Sequence, residues 1–329
     1  MKDNKIPLFL GLLGLLFAAA LVFGSSGVGP VDVFKWIFTG ENSDVVGRIV
    51  IGLRLPQDVI ACLTGAALGL AGYLSQTLFR NDLADPYVAG IASGAMFGVN
   101  LTLLTGATLS ILGVSSLSVA AFLGAWASTI VIWAISGRVG GSGAKLVLAG
   151  IALSFVLSGF NYLIVMVGRD ILNKSTFWSW NGIKTANWTG ATVLLVSILV
   201  VLPFLPYLKR KMDIYLLGDE ASIYLGINPK KLRIVMFLLV AVLTGSAVAT
   251  AGIIGFVGLI IPHFCRKMFG SNSKNMIPAS MIAGAIVLLL TDLIGRVIVP
   301  YQEIPAQVIM SLVGGGFFIY LLARRVTDA

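Results

Sequence analysis

Residues 189–208 read TGATVLLVSILVVLPFLPYL and contain no charged side chain. An α-helix needs about 20 predominantly apolar residues to cross the hydrocarbon core of a bilayer, so this stretch predicts a transmembrane helix. Residues 209–233 follow at once and read KRKMDIYLLGDEASIYLGINPKKLR, the longest polar and charge-mixed block of the chain. Together they predict a membrane protein with a structured loop that contacts something in the aqueous phase.

The composition of the whole chain agrees with this prediction. Of its 329 residues, 57% are hydrophobic and 11% are charged, and the mean hydropathy is +0.97. A soluble domain of this size could not bury so much apolar surface, so lipid must be the solvent for most of it. The net charge of +9 fits cations on cytoplasmic loops. Nucleic acid is not expected as a partner, because no basic stretch is interleaved with exposed aromatics.

The sequence offers no chemistry of its own. Cys62 and Cys265 lie within or beside apolar segments and are expected to be packing residues. One histidine, His263, and two distant cysteines do not make a metal site. No Ser-His-Asp set, P-loop or redox motif occurs in the sequence. We therefore predict that the chain is not an enzyme and holds neither a cofactor nor a metal.

Ten apolar segments are candidate spans. They are 6–26, 56–79, 86–106, 112–136, 145–167, 189–208, 233–250, 252–268, 277–298 and 305–323. The first resembles a signal peptide in its basic start, but its long apolar run favours a retained helix. Gly252, Gly255 and Gly258 crowd the start of the eighth, so a tight reversal or a broken helix is the alternative there.

Lysine and arginine decide the orientation. With the N-terminus inside, 16 of the 23 basic residues fall on inner ends and loops. Cytoplasmic loops carry such an excess, so both termini and the block 209–233 are predicted to be cytoplasmic. On the outer face, residues 27–50 and 168–188 are expected to be longer loops.

Small residues predict close helix packing. Gly65 and Gly69 in the second segment, and Gly90, Gly94 and Gly98 in the third, recur at every fourth position. This spacing lets helix backbones approach closely in lipid. Helices that line a translocation path use small residues too, so the pattern leaves both roles open.

Four polar motifs interrupt the apolar background. Residues 54–94 read RLPQDVIACLTGAALGLAGYLSQTLFRNDLADPYVAGIASG, 218–233 read GDEASIYLGINPKKLR, 252–270 read GIIGFVGLIIPHFCRKMFG and 292–305 read DLIGRVIVPYQEIP. In this order and spacing they resemble the FecCD-type permeases of ABC importers, the membrane subunits for iron-siderophore, haem and vitamin B12 uptake. The resemblance extends over almost the whole chain.

The resemblance implies an all-α polytopic fold with ten transmembrane helices in one domain, residues 1–329, and an inverted repeat of helices two to five and seven to ten. It also implies a homodimer, two cytoplasmic ATPase subunits that bind ATP and Mg²⁺, and an external substrate-binding protein. The implied substrate is a metal chelate, namely a ferric siderophore, haem or cobalamin. The expected location is the plasma membrane, which is the inner membrane in a Gram-negative cell.

By the same resemblance, the block 209–233 forms a short helical elbow that rests in a cleft of the ATPase. The matching residues are Gly218, Ala221, Leu225 and Gly226. Small residues permit a close fit, and Leu225 can act as an apolar anchor. From the residues alone, an ordered amphipathic loop lying on lipid headgroups is the alternative.

The resemblance also implies a cytoplasmic gate. Its residues are Asn81 and Leu83, after the second helix, with Gly143 and Ala144 at the start of the fifth. The alternative is an ordinary polar turn before the next helix. The family usually has proline where this chain has Asp82, so the shape of the turn is expected to differ.

At the outer mouth, Arg54 and Arg296 match arginines that meet carboxylates of the binding protein. A guanidinium suits this role because it can bind a carboxylate through two hydrogen bonds. Many relatives have a second cation at the position of Gln57, so weaker or differently patterned docking is expected. The alternative for Arg296 is pairing with Asp292 or Glu303.

Two further places in the sequence depart from the family pattern. Gln307 stands where glycine is common, and it either faces the path or reflects loose packing. Residues 314–316 are Gly-Gly-Gly where proline tends to occur.

A secondary transporter or channel without an ATPase is the alternative function, but such proteins place charges within the bilayer and the central stretches have almost none. An ABC permease for a small oxyanion such as molybdate is also open.

Overall fold

The computed structural model describes residues 5–39, 43–108, 110–111, 113–138, 143–168, 170–180, 182–299 and 301–327, and over these it is built of helices. The α-helices are α1 (Lys5–Val22), α2 (Pro30–Thr39), α3 (Ser43–Ile49), α4 (Leu55–Phe79), α5 (Ile91–Thr105), α6 (Ser116–Arg138), α7 (Gly143–Val167), α8 (Ile171–Trp180), α9 (Trp188–Val201), α10 (Leu205–Tyr215), α11 (Asp219–Tyr224), α12 (Pro229–Ala251), α13 (Val257–Phe269), α14 (Ser273–Val297) and α15 (Ala306–Thr327). A π-helical turn covers Val50–Arg54, and 3₁₀ turns cover Pro86–Ala89 and Leu202–Phe204.

Every apolar segment predicted from the sequence contains a helix. In the described residues, seven stretches are long and apolar enough to cross a membrane: Lys5–Val22, Val45–Phe79, Ser116–Ile135, Lys145–Val167, Trp188–Tyr215, Pro229–Ala251 and Ser273–Val297. Ile91–Thr105 and Ala306–Tyr320 are apolar but shorter. The prediction of an all-α polytopic membrane protein is therefore confirmed, while the count of ten spans stays a prediction.

The eighth predicted segment, 252–268, is broken rather than continuous. α12 ends at Ala251, Gly252 has φ +75°, and α13 begins only at Val257. A Cβ at Gly252 would lie 2.4 Å from the carbonyl oxygen of Ser179, so both the backbone angle and the close contact require glycine. The 13 residues of α13 extend about 20 Å, short of the roughly 30 Å hydrocarbon core.

The two predicted outer loops are also partly helical. Residues 27–50 contain α2 and α3, and residues 168–188 contain α8. These connections are therefore folded, and apolar residues within the first of them pack together. Val33 of α2 is buried against Val46 of α3 and Val50, and this small cluster packs beside the end of α1.

Glycines bring the central helices into backbone contact. A Cβ at Gly65 of α4 would lie 2.2 Å from the carbonyl oxygen of Gly284 of α14, and one at Gly69 would lie 2.2 Å from that of Ser280. In the same way, α5 meets α6 where a Cβ at Gly98 would lie 2.1 Å from the carbonyl oxygen of Ala120. These glycines therefore pack helices together, which confirms the packing role that the spacing predicted.

The bundle has two distinct ends. Arg54 precedes α4 and Arg80 follows it, and Arg80 contacts Asp219, which lies between α10 and α12. α14 starts at this end too, since Asp213 of α10 accepts hydrogen bonds from the backbone nitrogen (3.0 Å) and the hydroxyl (2.6 Å) of Ser273. We call this the elbow end, and the end that carries Arg54 and Arg296 the opposite end.

Candidate functional site: the elbow, the gate turn and the opposite end

The predicted elbow, residues 209–233, is a folded unit in which α11 lies between two tight turns. Gly218 and Gly226 precede and follow α11 with φ of +120° and +77°, a region that glycine enters without steric cost. The Ser222 hydroxyl donates to the carbonyl oxygen of Gly218 (2.6 Å), and the Ile227 nitrogen donates to that of Ser222 (2.8 Å). Asn228 then caps α12 by accepting from the Lys231 nitrogen at 3.1 Å.

The outer surface of the elbow is apolar although the segment is rich in charge. Tyr224 is 91% exposed and Leu225 is 58% exposed, and Leu217 and Ile223 are exposed as well. No atom lies within 4 Å of a Cβ placed at Gly218 or Gly226, so the space around both glycines is open. Grouped apolar side chains on a polar surface indicate a contact with another protein or with the membrane surface.

Behind this surface, an ionic cluster fastens the elbow to α4. The Arg80 guanidinium stacks over the Tyr215 ring at 3.9 Å, donates to the Tyr215 carbonyl oxygen (3.0 and 2.6 Å), and pairs with Asp219 at 2.7 Å. The Arg233 guanidinium of α12 binds the other Asp219 oxygen and donates to the Tyr215 hydroxyl at 2.9 Å. Three elements of the bundle therefore meet at one carboxylate.

The charge of Asp219 is stabilised by this arrangement. Partial desolvation raises the pKa of Asp219, but the hydrogen bonds from Arg233 and Arg80 and their charges outweigh it and hold the pKa below its ordinary value. The carboxylate therefore stays ionised at neutral pH. Both arginines use their planar donor groups, which lysine cannot reproduce.

The predicted gate residues Asn81 and Leu83 lie in the turn that follows α4. The Asn81 carbonyl oxygen accepts from the Ala84 nitrogen (3.0 Å), and its side-chain oxygen accepts from the Leu83 nitrogen (3.0 Å). Arg80, at the head of the turn, has φ +49°, a left-handed conformation that costs a non-glycine residue about 1–2 kcal/mol. Its side-chain bonds to the elbow hold it there.

A cavity separates this turn from α7. It has a volume of about 360 Å³, and its walls are Asn81, Leu83, Ala84, Val147, Ile151, Ser154, Phe155 and Ser158. Gly143 and Ala144 are the first two residues of α7, within one helical turn of Val147. The structure thus brings the turn and the start of α7 to the same end of the bundle, as a gate requires, although gating by these residues stays a prediction.

Asp82, which departs from the family pattern, pairs with Arg266 of α13 at 2.7 Å. Arg266 also donates to the side-chain oxygen of Gln76 (2.6 Å), and Gln76 donates to the carbonyl oxygen of Leu259 (3.1 Å). The turn is therefore joined to α13 by an ion pair at the position where relatives were expected to have proline. The expected difference in the shape of the turn stays a prediction.

At the opposite end, Arg54 and Arg296 are buried and bonded inside the chain. Arg54 is 3% exposed, and its guanidinium donates to the carbonyl oxygens of Leu21 (3.0 Å), Val22 (2.8 Å) and Val28 (2.7 Å). In this conformation its donors face the chain itself. Docking through Arg54 stays a prediction, and it requires these bonds to be exchanged.

Arg296 is the centre of a buried ionic cluster. It is 2% exposed and pairs with both Asp58 of α4 and Asp292, one turn earlier in α14. Gln57 donates to Asp292 at 3.3 Å. The pairing of Arg296 with Asp292 that the sequence left as an alternative is present, while docking through Arg296 stays a prediction.

Gln307 and the glycine run have structural partners. With its amide nitrogen turned toward them, Gln307 donates to the carbonyl oxygens of Ser179 (3.2 Å) and Ile253 (2.8 Å), and so ties α15 to α8 and to the break after α12. A Cβ at Gly314 would lie 2.4 Å from that of Phe256, whereas nothing lies within 4 Å at Gly315 or Gly316. These contacts favour a packing role for Gln307.

The sequence did not indicate which residues join the elbow, the turn after α4, α12 and α13. From the sequence, Arg80, Arg233 and Arg266 counted only among the 16 basic residues of the inner side, and Tyr215 and Asp219 only as members of the block 209–233. The available signal was their position at helix ends, where opposite charges from different helices are free to meet.

Comparison with known proteins finds similarity over nearly the whole chain. Residues 12–324 match the model of the FecCD transport family. The hemin transport system permease protein HmuU of Yersinia pestis is 34% identical over 97% of this chain and 96% of its own length. The ferric enterobactin transport system permease protein FepD of Escherichia coli is 34% identical over 97% and 95%, and the Fe(3+) dicitrate permease protein FecC of the same species is 32% identical over 95% of each chain.

Two solved structures have a similar fold. A chain of a metal-chelate type ABC transporter in an inward-facing conformation is 27% identical, matches with a TM-score of 0.84, and is covered to 99%, with 98% of this chain covered. PsaBC from Streptococcus pneumoniae, at 16% identity and a TM-score of 0.58, shares the fold. The chain therefore belongs to the FecCD transport family and is a multi-pass permease subunit of an ABC importer in the plasma membrane.

Proposed function

We propose that this permease moves an iron chelate or haem into the cytoplasm, powered by ATP that separate subunits hydrolyse. The names of three relatives support the substrate class, since they describe permeases for hemin, ferric enterobactin and ferric dicitrate. The solved structural relative belongs to a metal-chelate type transporter. Cobalamin and a small oxyanion have no such support among these relatives.

The proposed assembly is a homodimer of a single-domain chain, residues 1–329, with two ATPases that bind ATP and Mg²⁺ on the elbow side and a substrate-binding protein on the other. Each chain crosses the membrane ten times, in an inverted repeat of helices two to five and seven to ten, with both termini in the cytoplasm. The excess of Lys and Arg at the elbow end supports this orientation. In this arrangement, α13 reaches across the bilayer together with the non-helical segment that precedes it.

The observation that carries the ATPase contact is the combination of an apolar outer surface and a rigid inner fastening in the elbow. Tyr224 and Leu225 point outward, while Asp219 and Tyr215 are held by two arginines. A loop that merely reversed the chain direction would need neither feature. Gly218, Ala221, Leu225 and Gly226 are the proposed contact residues, with Leu225 as the anchor.

A secondary transporter is less well supported by the interior charges. In the described residues, the buried carboxylates of the spans, Asp58 and Asp292, both pair with Arg296 at the opposite end. Ion-coupled carriers place such groups along the path. Here the carboxylates join α4 to α14, so an external energy source is the better explanation of transport.

A substitution at the anchor tests the proposal. In Leu225→Asp we expect loss of ATPase binding and of transport, with an unchanged helical fold, because a charge would be buried in the contact. Leu225→Met keeps an apolar side chain, and Lys274→Asp adds an acid at an exposed position of the same end. Both controls should transport normally. Normal transport by Leu225→Asp would show that the elbow is not the contact.

A further inference from the structure

Two oppositely charged residues of the turn between α4 and α5 are fastened to different parts of the bundle. We call residues 80–85 the gate turn. Arg80 binds Asp219 in the elbow, and Asp82, two residues later, binds Arg266 in α13, each pair at 2.7 Å. The elbow and α13 thus hold the same six-residue turn from two sides.

The link to the elbow is also a backbone constraint. Arg80 occupies a left-handed conformation, with φ +49°, that non-glycine residues rarely adopt. Its guanidinium is bound at once to the Asp219 carboxylate, the Tyr215 carbonyl oxygen and the Tyr215 ring. A shift of the elbow would therefore move the first residue of the gate turn directly, or release it from its unfavourable backbone angle.

The link to α13 is held in place by additional hydrogen bonds. Arg266 is held by Gln76 of α4 at 2.6 Å as well as by Asp82. Gln76 in turn is bonded to the carbonyl oxygen of Leu259, so the α4–α13 contact is closed by its own hydrogen bonds. The Arg80–Asp219 link, in contrast, ends on the elbow, whose exposed apolar side chains Tyr224 and Leu225 are available to a partner.

We infer that Asp219 is a positioning residue that transmits movement of the elbow to the gate turn through Arg80, while the Asp82–Arg266 pair holds the other side of the turn in place. The Arg80–Asp219 pair is partly exposed, so it contributes little to stability and can be exchanged at small cost during a transport cycle. That suits a switch with two arrangements better than a permanent brace. The inference rests on the proposed function, because it takes the elbow as the ATPase contact.

The test follows the gate turn and ATP hydrolysis separately. Ser158 of α7 lines the cavity opposite the gate turn, so a maleimide that reacts with Ser158→Cys reports access to that cavity. The complete complex with its ATPase is labelled in membranes with and without Mg-ATP and vanadate. Asp219→Asn is then compared with Glu220→Gln, the same change at the next residue, where the side chain is exposed.

We expect Asp219→Asn to retain its ATPase and hydrolyse ATP, while labelling of Ser158→Cys no longer depends on nucleotide. Transport per ATP should fall by about tenfold, within the range typical of coupling between protein sites. Asp219→Glu should restore part of the coupling, and Glu220→Gln should behave as the parent. If Asp219→Asn is not recovered from membranes, Arg80→Lys, which keeps the charge but loses the planar donor group, makes the same test.

Two kinds of failure are distinguishable. If the parent binds no ATPase and its labelling never depends on nucleotide, the proposed function is wrong. If the parent shows nucleotide-dependent labelling and the Asp219→Asn and Arg80→Lys variants show it equally, the elbow is coupled to the gate by another route and the inference is overturned.

Discussion

Arg296→Met removes the cation from the most deeply buried ionic cluster of the opposite end. Asp58 has no exposed surface and Asp292 is 5% exposed, and Arg296 pairs with both. Removing one partner of a buried ion pair typically costs 3–5 kcal/mol, because the remaining charge is left without compensation. Here two carboxylates would be left, so we expect a loss of at least about 3 kcal/mol in the free energy of unfolding.

The assay is unfolding of the purified permease in mixed micelles, followed by its helical signal. Lys35→Met also removes a cation at the same end, but from an exposed side chain, and should change stability by less than about 0.5 kcal/mol. The variant Asp58→Asn/Asp292→Asn/Arg296→Met should regain most of the loss, because no buried charge remains. A single variant Arg296→Met as stable as the parent would refute the reasoning.

Three further outcomes are expected from the packing. Gly65→Val should abolish folding, because even a Cβ would lie 2.2 Å from the carbonyl oxygen of Gly284, whereas Gly11→Val in α1, with nothing within 4 Å, should be recovered at the parental yield. Gly226→Ala should destabilise the elbow by about 1–2 kcal/mol because of its positive φ, and limited proteolysis at 216–228 should show it; parental protease resistance would contradict this. Tyr73→Phe should cost about 1 kcal/mol in unfolding by breaking the 2.6 Å bond to Ser273, and an unchanged midpoint would contradict this.

Most of the helical framework was predictable because apolar length and small-residue spacing are local signals. Residues 189–208 lie in the apolar helical stretch Trp188–Tyr215, which a 3₁₀ turn at Leu202–Phe204 divides, and Gly65 and Gly69 pack against α14 as their spacing predicted. The break at Gly252 was predictable only as an alternative. Its cause is a close contact with the Ser179 carbonyl oxygen, far away in sequence.

A folded segment with a short helix at 209–233 was predictable from its charge and its position, but the ionic cluster behind it was not, and its role as an elbow stays a prediction. Asp219 meets Arg80, which is 139 residues away, and Asp82 meets Arg266 across α4 and α13. Such pairs depend on how helices pack, so a single sequence shows the charges without their partners. For the same reason the bonds of Arg54 to the end of α1 and the pairing of Arg296 with Asp58 were not predicted, whereas the pairing of Arg296 with Asp292, four residues away, was a stated alternative.

The central claim is that this permease is driven by ATP through its elbow. The most direct measurement is uptake of a radiolabelled ferric siderophore or haem into proteoliposomes that contain the permease, its ATPase and its binding protein. Uptake should require ATP on the side of the membrane where the ATPase is bound, and it should disappear in the Leu225→Asp variant. Uptake by the permease alone, driven by an ion gradient without an ATPase, would contradict the account.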